Sequence, residues 1–149
     1  MGYGLPEWLG DVAPPAWVSP EQALQLQDMG KAILVDCRDP VGMGNGAGHA
    51  EGAPEGSFNI PAAETMMFPD KVNEFIRKLR IKYPGDTLMI LMSNTGMPDG
   101  PQAGRCKYVA IYMQAKNLWD HDKILRMDGG LKAWQEMGLP MEVPSKYRR

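Results

Sequence analysis

Cysteine is scarce in this chain: Cys37 and Cys106 are the only two in 149 residues. Two thiols make no disulfide framework, so the expectation is the cytoplasm or another reducing compartment. An excess of one charge is also missing. Lys and Arg number 16 against 18 Asp and Glu, a formal net charge of −2. A protein built around non-specific nucleic-acid binding needs a basic face, and this balance argues against one. Long apolar runs are missing too. An unbroken run such as Leu88–Met92 falls far short of the roughly 20 residues of a membrane span. No Lys or Arg occurs among the opening residues, so no secretory or transit segment is expected. Gly2 is present but position 6 is Pro, which breaks the myristoylation pattern. The glycine-rich stretch 42–56 has neither G-x-G-x-x-G spacing nor Gly-Lys-Ser/Thr, so it is no phosphate or dinucleotide fingerprint. No cofactor is implied.

What is present suits one ordinary domain. The hydrophobic fraction is 44% and the charged fraction 23%, both normal for a globular protein. The length fits a single domain of roughly 100–150 residues. Glycine at 17 and proline at 13 predict extended loops. The 12 methionines read as core filler.

Along the chain, residues 1–18 read as an irregular arm broken by Gly2, Gly4, Pro6, Gly10, Pro14 and Pro15. Trp8, Leu9, Val12, Trp17 and Val18 make it apolar, and the expectation is that it packs on its own domain rather than on a partner. Ser19-Pro20-Glu21-Gln22 is a capping-box start for a helix to Met29, stopped by Gly30. Ala32–Val35 is a strand buried on both faces, and the loop 42–56 is too irregular to be an element. Val72, Phe75, Ile76 and Leu79 share one helical face, opened by Pro69-Asp70. Leu88–Met92 is a second buried strand. A helix carries Val109, Tyr112 and Met113 to about Lys116, with Cys106 past its first turn. Ile124–Met127 is a third strand, and a last helix runs from Asp128-Gly129-Gly130 to Met137. Strands alternating with helices predict an α/β fold with a mostly parallel sheet. Residues 19–142 form the domain, and 143–149 a basic tail that frays. In such sheets, sites lie beyond the carboxyl ends of strands. Here those ends lead into the loops after Val35 and after Met92.

Three segments then resemble one family. Ile33-Leu34-Val35-Asp36-Cys37-Arg38 resembles the rhodanese-like strand with its D-x-R end. Gly48-His49 with Gly56-Ser57-Phe58-Asn59-Ile60-Pro61 resembles that family's G-H-x-x-G-[AS]-x-N-[IL]-P segment, with about four residues inserted. Asp128-Gly129-Gly130-Leu131-Lys132-Ala133-Trp134, then Gly138-Leu139-Pro140, resembles its ending. The match runs in order across roughly residues 19–142. It implies a five-stranded parallel sheet flanked by helices on both faces. It also implies an anion-cradling loop after the fourth strand, headed by a catalytic cysteine.

The loop here resembles the longer form of the cell-cycle dual-specificity phosphatases and arsenate reductases, C-x-x-x-x-x-R followed by Gly-Pro. Ser93 stands at the cysteine position and Asp99 at the arginine position. Asn94, Thr95, Gly96, Met97 and Pro98 lie between them, and Gly100-Pro101 follow. Asp36, Cys37, Arg38 and His49 are the supporting residues. In those phosphatases the cysteine matching Cys37 can pair with the catalytic one; here it would face Ser93 and have no partner.

A hydroxyl ionises far less readily than a thiol and needs an adjacent base. Asp99 repels an anion that an arginine would clamp. Both changes point to a catalytically degenerate module. It would bind a protein through the arm or loops 38–56 and 93–101, or a small anion in the loop. The alternative is an active sulfurtransferase, phosphatase or arsenate reductase using a non-standard residue. Arg105 reads as a solvated helix-start arginine and Cys106 as a buried structural thiol. His49 with Glu51 and Glu55 makes a poor metal set, and His49 is expected to bond loop backbone. Asp120-His121-Asp122 reads as a solvated connector.

Overall fold

The computed structural model describes residues 16–41, 48–94 and 104–144. In chain order its elements are β1 (Ala16–Val18), α1 (Pro20–Asp28), β2 (Ala32–Asp36), β3 (Ala53–Pro54), β4 (Phe58–Asn59), α2 (Ala62–Met67), α3 (Pro69–Lys82), β5 (Leu88–Met92), α4 (Gly104–Ala115), β6 (Ile124–Met127), α5 (Gly130–Glu136) and β7 (Met141–Glu142). Five strands make one sheet in the order β1-β6-β5-β2-β4, with every pair parallel. Strand β2 lies along β5 from Ala32 opposite Leu88 to Asp36 opposite Met92. Strands β3 and β7 form a separate antiparallel pair.

Both central strands are buried at every residue, as an apolar run between two helical layers must be. Side chains alternate across the sheet. Ile33, Val35, Met89, Leu91 and Ile124 pack with Val72, Ile76 and Leu79 of α3 and Val109 and Met113 of α4. Leu34, Ile90, Met92, Leu125 and Met127 pack with Leu26 of α1 and Leu131 and Trp134 of α5. Helix α1 opens as its sequence predicts: Ser19 Oγ accepts the Gln22 N–H at 3.1 Å, and Gln22 Oε1 accepts the Ser19 N–H at 2.9 Å.

Several short elements depart from the sequence reading. Ala16–Val18, at the end of the presumed arm, is an edge strand whose Val18 is buried. The rest of the arm, residues 1–15, lies outside the described residues. The loop 42–56 is not wholly without elements: His49–Glu51 is a single 3-10 turn and Ala53–Pro54 pairs with β7, while residues 42–47 lie outside the described residues. Phe58–Asn59 extends the sheet beyond β2, and α2 follows directly after Pro61. After β7, Val143 is exposed and Pro144 buried. These strands have two or three residues each, too few to show a period.

Candidate functional site

The carboxyl end of β2 is built around one carboxylate. Asp36 is fully buried, and Arg38 folds back on it. Arg38 Nε donates to Oδ1 at 3.1 Å and Oδ2 at 2.9 Å, and Nη2 donates to Oδ2 at 2.8 Å. The Arg38 backbone N–H donates to Oδ1 at 2.9 Å. His49 Nδ1 lies 2.9 Å from Oδ2, and an ionised carboxylate only accepts, so this nitrogen carries the proton. Burial alone would raise the Asp36 carboxyl, but the hydrogen bonds of His49 and Arg38 and the Arg38 charge hold it below the usual range.

The same cluster fixes the surrounding loops. Arg38 Nη2 reaches the Gly52 carbonyl at 2.6 Å. Asn59 Nδ2 donates to the carbonyls of Asp36 and Arg38, both at 2.9 Å. The His49 ring therefore bonds a carboxylate rather than loop backbone, because an ionised group buried this deeply needs every donor within reach. Glu51 is also engaged, accepting the Gly48 N–H at 2.8 Å, and Glu55 is exposed. Among the described residues no three His, Cys, Asp or Glu side chains gather as metal ligands. Asp120, His121 and Asp122 are exposed, with Asp120 paired to Arg80 at 3.2 Å, as a solvated connector should be.

Ser93 follows β5 and is fully buried. Its carbonyl accepts the Leu131 N–H at 2.8 Å, and the Asn94 carbonyl accepts the Lys132 N–H at 2.9 Å, so the strand end is tied to α5. The Ser93 hydroxyl shares a hydrogen bond with the Cys106 thiol. Cys106 is the third residue of α4, inside the first turn rather than past it. The helix begins at Gly104, one turn earlier than its apolar face reveals. The Arg126 side chain also hydrogen-bonds Cys106, and the backbone N–H of Cys106 points to its own sulfur. Burial raises the Cys106 pKa, and these donors offset it only in part.

Cys37 is buried as well, and its backbone N–H donates to the Met92 carbonyl at 2.8 Å. It does not stand apart from other thiols. Burial first, then the proximity of Cys106 and of Asp36, push it well above its ordinary value. Arg105 is half-buried and its charge is felt at Cys37, so it is not simply solvated. Thr95, Gly96, Met97, Pro98, Asp99, Gly100 and Pro101 lie outside the described residues.

Arg126 escapes the sequence reading altogether. Its guanidinium stacks on the Trp17 ring with Cζ 4.3 Å from the centroid. The signal was there: a single arginine in the apolar strand Ile124–Met127 must meet a partner. Chemically, this cluster offers two protonated thiols and a hydroxyl facing a thiol instead of a base.

The rhodanese-like domain model matches residues 19–137. No curated protein matches the chain. Among solved structures, the As-Sb reductase of Leishmania major is 18% identical with a TM-score of 0.55, covering 81% of this chain and 77% of its own. A yeast protein tyrosine phosphatase of the rhodanese family is 12% identical with a TM-score of 0.55, covering 80% and 83%. A thiosulfate sulfurtransferase from Pseudomonas aeruginosa is 14% identical with a TM-score of 0.56; the match covers 91% of this chain and 21% of that one. At these identities the likeness is one of fold.

Proposed function

Since the chain belongs to the rhodanese-like domain family, we propose that it is a member that has lost the family's nucleophile and acts by binding. The observation that supports this is the burial of Ser93, which the resemblance puts at the nucleophile position, with its hydroxyl facing the Cys106 thiol. A serine needs an adjacent base, and His49 is held by Asp36. Both thiols are buried with raised pKa values, so neither is a thiolate at neutral pH. The binding surface is formed by the loops at the carboxyl ends of β2 and β5, and its partner is a protein or a small anion.

One observation favours a second reading. Cys106 is surrounded by donors that stabilise a thiolate, so sulfur or phosphoryl transfer would run through it. Steady-state sulfur transfer from thiosulfate to cyanide, run beside aryl-phosphate hydrolysis, decides between them. The expected result is no turnover above a Cys106→Ser control. Turnover lost in that control would place the chemistry at Cys106 and end the non-catalytic reading. The double variant Ser93→Cys with Asp99→Arg serves as the positive control for loop shape.

A further inference from the structure

Helix α1 carries a stripe of side chains beside its buried face. Glu21, Leu24, Gln25, Asp28 and Met29 follow the i, i+3, i+4, i+7, i+8 spacing of one helical face. With Leu139, between α5 and β7, they line an open groove of about 490 Å³. Its floor is apolar: Leu24 and Leu139 are half-buried against the core beneath, and Met29 is 42% exposed. The charged residues of the lining are Glu21 and Asp28, both exposed. Seven positions along a helix separate them by about 10 Å.

The walls of the groove are set before anything binds. The Leu139 N–H donates to the Trp134 carbonyl at 3.2 Å, and Trp134 Nε1 donates to the Pro140 carbonyl at 2.9 Å. From the other wall, Gln27 Nε2 donates to the Glu55 carbonyl at 2.9 Å, and the Glu55 N–H donates to the Pro140 carbonyl at 3.1 Å. Glu55 thus ties α1 to the segment after α5, and a groove that need not reorganise keeps more of its contact energy. The charge in it does not serve the helix. Asp28 is the last residue of α1, and that turn holds no Lys or Arg. The helix dipole already leaves partial negative charge there, so a carboxylate weakens the helix end and favours an incoming cation. A local choice that works against its own element marks a functional surface.

We propose that this groove binds a basic segment of another protein. Two Lys or Arg side chains about 10 Å apart meet Glu21 and Asp28, and one Leu-sized side chain between them rests on Leu24, Met29 and Leu139. None of these residues belongs to the loops at the carboxyl ends of β2 and β5, so the proposal goes beyond the binding surface described above.

The test is titration of the isotope-labelled full chain with the synthetic peptide acetyl-Pro-Lys-Leu-Pro-Lys-Pro-amide, read by backbone amide resonances. Polyproline geometry, with three residues per turn and about 3.1 Å per residue, puts both lysines on one side about 9 Å apart. The expected result is a saturable shift of the Leu24, Asp28, Met29 and Leu139 amides. Serine in place of the peptide's leucine weakens binding about tenfold or more. Glu21→Gln with Asp28→Asn removes two exposed charge pairs and weakens it about two- to thirtyfold. That variant melts close to wild type, because the gain at Asp28 offsets the loss at Glu21. Unshifted α1 amides at millimolar peptide, equal binding of a peptide with Glu for both lysines, or equal affinity in the folded variant overturns the proposal. Shifts in α1 that grow with protein concentration alone place a second copy in the groove and overturn it too. Turnover in the sulfur-transfer assay ends the non-catalytic reading without touching this groove.

Discussion

Asp36 is buried as an anion, and its neighbours supply the donors that make this tolerable. Asp36→Asn would leave Arg38 buried beside a neutral group. Removing one partner of a buried pair costs about 3–5 kcal/mol. The sign of the pH dependence follows from the lowered pKa. The stabilisation is complete above the unfolded value, about 3.9, and is lost as pH falls through the lower native value. Urea unfolding should therefore show the widest gap between wild type and Asp36→Asn near neutral pH, closing in acid. A gap that stays constant to the lowest accessible pH would mean that Arg38 and His49 do not hold the carboxylate. The two thiols work in the opposite direction. Their raised native pKa values stabilise the fold below the unfolded value of about 8.5 and cease to do so as pH rises beyond it. Replacing both with alanine should flatten the alkaline fall in stability. An unchanged slope would show that burial does not protect these thiols from ionising.

At the scale of elements, the edge strand β1 is held by more than its ladder. Trp17 stacks on Arg126 across the β1–β6 pair, with the two residues in register. Trp17→Ala removes a cation–π contact of about 0.5–2 kcal/mol together with the packing of the ring. It should lower the denaturation midpoint and make the Arg126 Nε–H exchange faster with solvent. The start of α5 rests on a different constraint. Gly129 has φ +78°, and a Cβ there would lie 2.5 Å from the Ala133 Cβ. Gly129→Ala therefore combines a left-handed backbone, about 1–2 kcal/mol for an L-residue, with a steric clash. Denaturant unfolding should show a loss of at least that size; a smaller one would mean that α5 shifts freely. These two cases also show what was legible in the sequence. The Gly129-Gly130 turn and the buried strands announce themselves through residue type and unbroken apolar runs. So do Asp36, Arg38 and His49, through their motifs. β1, β4 and the β3–β7 pair do not, because two or three residues carry no period. Helix α2 has no side-chain cap hydrogen bond to mark its start. The contact of Arg126 with Cys106 joins a strand to a helix far away in sequence, and only tertiary packing creates it.

At the scale of the whole molecule, one sheet separates two apolar layers. Ile76 of α3 is fully buried in one layer, and Leu26 of α1 in the other. Each truncation to alanine should cost about 2–5 kcal/mol, depending on how far the site collapses. Because the sheet lies between them and they share no layer, the costs of Ile76→Ala and Leu26→Ala should add to within about 0.5 kcal/mol. Additivity alone does not show that the layers unfold together. The central strands belong to both, so losing either layer exposes half of every residue pair in β2 and β5. The chain should therefore unfold in one transition. Trp119 and Trp134 are buried on opposite faces and report on the two layers separately. With fluorinated tryptophan, their resonances should disappear at the same urea concentration in the wild type and in both variants. If the Trp134 signal survives the loss of Trp119 in Ile76→Ala, the layers are independent, and the sheet is a partition instead of a shared core.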